Sequence, residues 1–232
     1  MREKPRVHSV DTFVHTYRLQ HVDAVVPSTK TLYNYIHQGL LEIKVIDLPR
    51  AVRIRKKSNK RPSTKKHLGK SIEEGPEEIN NRSRFGDWEI DSVLGLKTVG
   101  EPSILTLVER QTRYAVTKKL VEKKAEYVNQ AVLECMKPYP IKSITADNGN
   151  EFSSLSKIEG LDVYFAHAYS SYERGTNENF NGLLREFIPK GTSLKELNPT
   201  LLEDYTKAIN ERPRRIHGYQ SAKKLFELTQ TA

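Results

Sequence analysis

"GDWEIDSVLG", residues 86–95, places Trp88 and Ile90 two residues apart, then Val93, between two glycines. A spacing of two is the period of a strand, and glycines bound it. "SILTLVE" (103–109) and "YAVTKKL" (114–120) follow with turn residues between them. Residues 86–120 therefore read as an antiparallel meander, with Trp88 in the core. "EKKAEYVNQAVLECMK" (122–137) carries Ala125, Val128, Val132 and Met136 on one side of a helix. "IKSITA" (141–146) and "LDVYFA" (161–166) are short buried strands around a polar stretch expected to hold a helix. "TNENFNGLLRE" (176–186), "NPTLLEDYTKAINER" (198–212) and "SAKKLFELTQ" (221–230) complete the chain as helices. The order predicts an α/β fold, a mixed sheet flanked by helices.

The chain's 232 residues suffice for one core-sized domain with an appendage. Hydrophobic content of 37% and charged content of 29% describe a soluble protein. No apolar run of membrane-spanning length and no secretory leader is legible. A single cysteine, Cys135, excludes internal disulfides and a cysteine-rich zinc site. A cytoplasmic protein with no membrane partner is expected.

Charge is unevenly placed. Residues 1–70 hold 16 Lys/Arg against 5 Asp/Glu, whereas residues 71–232 hold 22 against 24. Ten of the basic residues lie between Arg50 and Lys70, including Arg53, Arg55, Lys56 and Lys57. Such a block is either a solvated linker or an arm lying along a polyanion. Before it, "SVDTFVHTYRLQHVD" (9–23) has Phe13, Val14, Tyr17 and His21 at helical spacing. Ser28 is a candidate N-cap for "TKTLYNYIHQ", and Gly39 a natural stop. The second helix bears Thr31 and Asn34, which suits a helix-turn-helix that reads DNA. We therefore expect a partial helix-turn-helix-like segment over 1–49, a basic then acidic linker over 50–80, and a catalytic core over 81–232.

Three acids fall at telling places. Asp91 lies on the first strand, Asp147 directly after the fourth, and Glu178 on the polar face of the helix around 176–186. Sites in open α/β sheets gather at the carboxyl ends of strands. Carboxylates brought that close repel one another unless cations compensate them. Mg²⁺ prefers carboxylate oxygen and completes its shell with substrate phosphate. Two ions about 4 Å apart would activate an attacking oxygen and stabilise a leaving one. Asn181 and Arg185 follow Glu178 along the same face and could meet phosphate or base edges.

"WEID", "ADNGNEF" and "ERGTNENFNGLLRE", in that order and on those elements, resemble the catalytic core of DDE transposases and retroviral integrases. More closely, the chain resembles the insertion sequence 30 family of bacterial transposases, from about Phe85 to Phe226. The closing "NERPRRIHGYQSAKKLF" and the upstream "VPSTKTLYNYI" are also similar to that family. The resemblance implies a ribonuclease H-like fold and a metal-binding catalytic triad of Asp91, Asp147 and Glu178. It implies two Mg²⁺ ions, for which Mn²⁺ can substitute. Asn181 and Arg185 match the polar positions after the Glu, the Arg being expected to touch DNA. Asn148 matches the second motif in a shaping role, and His167 stands by as an auxiliary. Glu173 competes for the third acid position.

Two departures stand out. "GYQSAKKLF" lacks the Thr-Pro usual near Ser221–Ala222, and the chain starts inside the family's upstream DNA-binding helices. The implied function is metal-dependent cleavage at transposon ends and strand transfer into target double-stranded DNA, by a homo-oligomer in the bacterial nucleoid. The alternatives are a truncated, non-catalytic DNA-binding remnant or regulator, and a hydrolytic nuclease.

Overall fold

The computed structural model describes residues 9–48, 68–167 and 171–231. Arg53, Arg55, Lys56 and Lys57 lie outside them. Strands β1 (Asp87–Leu94), β2 (Ser103–Glu109) and β3 (Ala115–Leu120) form the expected antiparallel meander. β4 (Ser143–Ala146) adds to β1 in parallel, and β5 (Asp162–Phe165) adds to β4 in parallel. The order is β3-β2-β1-β4-β5, a mixed five-stranded sheet.

The uneven spacing of Trp88, Ile90 and Val93 has a simple cause. Side chains alternate across a strand, so Val93 serves the face opposite the other two. Trp88 and Ile90 pack with Val128 and Val132 of α4 (Ala125–Met136) and with Phe226 of α7 (Ala222–Gln230). Val93 packs with Phe180 and Leu184 of α5 (Gly175–Leu184) and with Leu202 and Ile209 of α6 (Pro199–Asn210). Both faces are covered, which is why every residue of β2 is buried. Phe226 ties the closing segment to the core: its ring stacks on Tyr114 at 4.3 Å and meets Trp88 edge-on at 5.9 Å.

Two expectations change, and the first helix takes a face that spacing left open. The stretch between β4 and β5 holds two single 3₁₀ turns, Asn150–Phe152 and Leu155–Lys157, in place of a helix. Local bonds such as Ser153 Oγ–H to the Asn150 carbonyl, at 2.7 Å, compete with helix continuation there. α1 (Val10–Gln20) buries Val10, Thr12 and Val14, leaving Phe13 and Tyr17 largely exposed. Its inner face is chosen by Ile36 of α2 (Thr29–His37) and by Leu48. The acidic stretch after residue 70 is docked: Ile72, and Ile79 of α3 (Glu77–Asn81), pack on Tyr164 of β5. Ser71 also bridges to Phe165 at that sheet edge. Ser28 caps α2 as expected, and Gly39 ends that segment with φ +72°.

A short hairpin, β6 (Pro213–Arg214) with β7 (Gln220–Ser221), meets α1. Its Tyr219 stacks on His15 at 3.6 Å and donates its hydroxyl to Asp11 at 3.1 Å. No described helix is long and apolar enough to cross a membrane.

Candidate active site

The face of β1 that carries Val93 also carries Glu89 and Asp91, four and two residues earlier. α5 lies along this face in step with it. The Asn177 main-chain N–H donates to Glu89 Oε2 at 2.8 Å, and the Asn181 side-chain amide donates to Asp91 Oδ2 at 3.0 Å. Further on, Arg185 donates to the Leu94 carbonyl at 2.7 Å. Helix positions four apart return to the same side, so Asn177, Asn181 and Arg185 follow one strand in succession.

The start of α5 is fixed from beneath. Glu89 is fully buried and pairs with Arg110, itself 2% exposed, at 3.2 Å. Arg110 also donates to the Glu173 carbonyl at 3.2 Å. Thr106 of β2 donates its hydroxyl to Asn177 Oδ1 at 2.8 Å, and Asn177 returns a bond to the Thr106 carbonyl at 3.2 Å. The Asn177 and Thr106 groups bonded in this way hold one geometry, because leaving such buried polar groups unpaired costs about 1–3 kcal/mol.

Asp147 reaches the site through strand register. In the parallel β1–β4 ladder Asp87 pairs with Ser143 and Glu89 with Thr145. Continued by two residues, the same register sets Asp147 opposite Asp91. One guanidinium spans the two acids: Arg174 Nη1 lies 3.6 Å from Asp91 Oδ1, and Nη2 lies 3.4 Å from Asp147 Oδ2. Asp147 Oδ1 accepts the Gly149 N–H at 2.8 Å. A side chain at Gly149 would strike Asp147 and Glu151, its Cβ falling 2.6 Å from a Glu151 oxygen. Burial raises the Asp91 pKa above the ordinary carboxylate value, opposed by Arg174 and the Ser92 N–H and aided by Asp147 and Glu151.

Glu178 occupies an exposed position of α5, one turn before Asn181. Glu173 is committed elsewhere: its carboxylate accepts the His167 main-chain N–H at 2.8 Å and lies 2.9 Å from His167 Nδ1. His167 is a partly exposed partner of Glu173, and that hydrogen bond, with its charge, raises the imidazole pKa. Asn148 donates to the Ala166 carbonyl at 2.8 Å and accepts the Leu68 N–H at 3.2 Å. Among the described residues no three His, Cys, Asp or Glu side chains converge as a ready metal cage. The solvent-reachable oxygens of Asp91 and Asp147, already gathered around a positive group, do fit a divalent cation.

No protein-family model matches the chain. The chain is 96% identical over all 232 residues to the probable transposase for insertion-like sequence element IS1161 of Streptococcus salivarius, and covers 68% of that protein. It belongs to the insertion-sequence transposases. Within that family it is 37% identical over 161 residues to the transposase for IS4351 of Bacteroides fragilis, covering 67% of this chain and 49% of that one. It is 32% identical over 209 residues to the transposase InsI for IS30A of Escherichia coli K12, covering 85% and 54%. The chain thus spans about half the length of these last two relatives. The catalytic core domain of BIV integrase aligns with a TM-score of 0.49 and 16% identity, over 63% of this chain and 96% of that one.

The remaining sequence-predicted residues of this transposase chain fall in two places. Thr31 lies in the first turn of α2, its N–H on the Ser28 capping oxygen at 3.1 Å, and Asn34 is exposed on the same helix. Asn181 and Arg185 are engaged within the protein, on β1. Sequence reasoning missed Arg174, Asn177, Arg110 and Thr106. Asn177 had a signal, since it stands four residues before Asn181 and shares its side of the helix. Arg113 and Arg82 add unforeseen positive charge at the start of α5. Arg113 donates to the Thr176 hydroxyl, and an Arg82 nitrogen lies 4.0 Å from the Cβ that Gly175 would carry.

Proposed function

We propose that this chain is the catalytic part of a metal-dependent DNA transposase, cutting at the ends of its element and joining the freed 3′-hydroxyl to target double-stranded DNA. The observation that carries the reading is the approach of Asp91 on β1 and Asp147, directly after the parallel strand β4, around one guanidinium, with the polar side of α5 seated on Asp91. Asp91, Asp147 and Glu178 are the residues that would hold divalent metal. Mg²⁺ bound there, or Mn²⁺ in its place, would supply activation of the attacking oxygen and charge stabilisation of the leaving one.

The chain's own residues do the rest. Asn181 holds one Asp91 oxygen and so fixes how the other is presented. The Glu173–His167 pair keeps the segment before α5 in place and leaves Glu178 as the third acid. Arg185, Thr31, Asn34 and the basic arm with Arg53, Arg55, Lys56 and Lys57 contact DNA, the arm through phosphate and without sequence preference. Transposition must bring two element ends together, which calls for a homo-oligomer acting on nucleoid DNA in the cytoplasm.

The test is incubation of the purified chain with a supercoiled plasmid bearing the element's ends, in Mg²⁺ or Mn²⁺, beside Asp147→Asn. Joined or excised product that disappears in the variant supports the proposal. Nicks without joining would indicate a nuclease. Salt-sensitive binding with no cutting would indicate a non-catalytic DNA-binding protein.

A further inference from the structure

Arg174 is the residue from which α5 springs, and its side chain is only 16% exposed. Besides its two carboxylate contacts it donates from Nη1 to the Ile90 carbonyl at 3.3 Å. A lone surface arginine samples many rotamers, but the backbone beneath this one is pinned on both sides. The Glu173 carbonyl is held by Arg110 and the Asn177 N–H by Glu89. The guanidinium is thus delivered to the gap between Asp91 and Asp147 by the fold. Its contacts, at 3.6 and 3.4 Å, are longer than the 2.7–2.9 Å of a tight charge-assisted bond. Such a pairing neutralises two carboxylates and can still be displaced.

We propose that Arg174 is an internal counter-cation: it occupies the acid pair in the metal-free protein and must withdraw before a divalent cation binds there. The inference rests on the reading of Asp91 and Asp147 as metal ligands. It assigns Arg174 a sign opposite to that of an ordinary supporting residue. A support, once removed, loosens the site and weakens cation binding. A resident competitor, once removed, tightens it, because the apparent affinity no longer carries the cost of emptying the site. The same removal leaves Asp91 and Asp147 facing each other uncompensated, so the metal-free protein loses stability.

The experiment uses the full 232-residue chain, stripped of metal by chelation, with Mn²⁺ and Mg²⁺ titrated calorimetrically and by Mn²⁺ electron paramagnetic resonance. Arg174→Gln is expected to bind Mn²⁺ on the order of tenfold more tightly than the wild type. Its melting temperature falls without metal and recovers when metal is added. Arg174→Lys, whose point charge cannot span both carboxylates, tightens binding about threefold and serves as the readout if the Gln variant fails to fold. Binding by these variants that is equal to or weaker than wild type overturns the proposal. Asp91→Asn separates the two layers of the argument. If it binds Mn²⁺ as the wild type does, the metal reading of the acid pair is wrong; if it alone loses binding, only the role of Arg174 fails.

Discussion

Asn181 donates to Asp91 Oδ2 at 3.0 Å across the seam between α5 and β1, while its own Oδ1 is buried without a hydrogen-bond partner among the described residues. The bond runs from a helix to a candidate metal ligand and fixes which oxygen the ligand presents. Groups that orient a ligand from behind typically matter by about 10–100-fold in metal affinity or activity. Asn181→Ala should therefore lower single-turnover cleavage by roughly that factor while leaving affinity for element-end DNA nearly unchanged. Parallel cleavage and filter-binding assays read both. A loss of DNA affinity with normal turnover of bound complex would instead place Asn181 on DNA.

The Glu89–Arg110 pair predicts a stability effect with a recoverable component. Removing one partner of a buried ion pair leaves an uncompensated charge and costs about 3–5 kcal/mol, whereas removing both is often nearly neutral. Arg110→Met should lower the urea-unfolding free energy by that order, and Glu89→Gln combined with Arg110→Met should restore part of it. Because Glu89 also accepts the Asn177 N–H, restoration will be incomplete.

His167 predicts a pH dependence whose sign follows from its partner. The hydrogen bond to Glu173, then the attraction between the charges, raises the imidazole pKa in the folded protein. A raised pKa stabilises the fold fully below the unfolded value of about 6.5, and that stabilisation is lost as pH rises through the folded value. The wild-type melting temperature should decline over that window, and His167→Gln should flatten the decline. Equal slopes in the two proteins would mean that the Glu173 contact is not populated in solution.

What the sequence disclosed depended on whether a feature had a period. The alternation around Trp88 and the short buried run 141–146 marked β1 and β4, so Asp91 could be placed on one strand and Asp147 directly after the other. Strand register was beyond reach, yet it brings those two acids together: 56 residues separate them, as they separate Asp87 from Ser143. Arg174 belongs to no repeating pattern, and a charge before a helix looks like any other. Glu89 and Arg110 carried no such signal, because only the fold buries them against each other. α1 shows the same limit: helical spacing linked Phe13, Val14 and Tyr17, but Ile36 and Leu48 pack on Val10 and the two aromatic rings stay exposed.

The basic arm offers a test that needs no knowledge of its conformation. Each phosphate neutralised on a duplex releases condensed counterions, giving a slope of about 0.9 in log affinity against log salt per contact. If Arg53, Arg55, Lys56 and Lys57 all rest on phosphate, changing the four to Ala should reduce that slope by about 3.6. The loss should be equal for element-end and unrelated duplexes, since phosphate contacts carry no sequence information. Asn34→Ala should do the reverse, lowering affinity for the element end by about 1–3 kcal/mol with little change in salt slope. Fluorescence anisotropy across a salt series, with both duplexes, measures all of these quantities. An unchanged slope in the four-residue variant would remove the arm from the DNA interface.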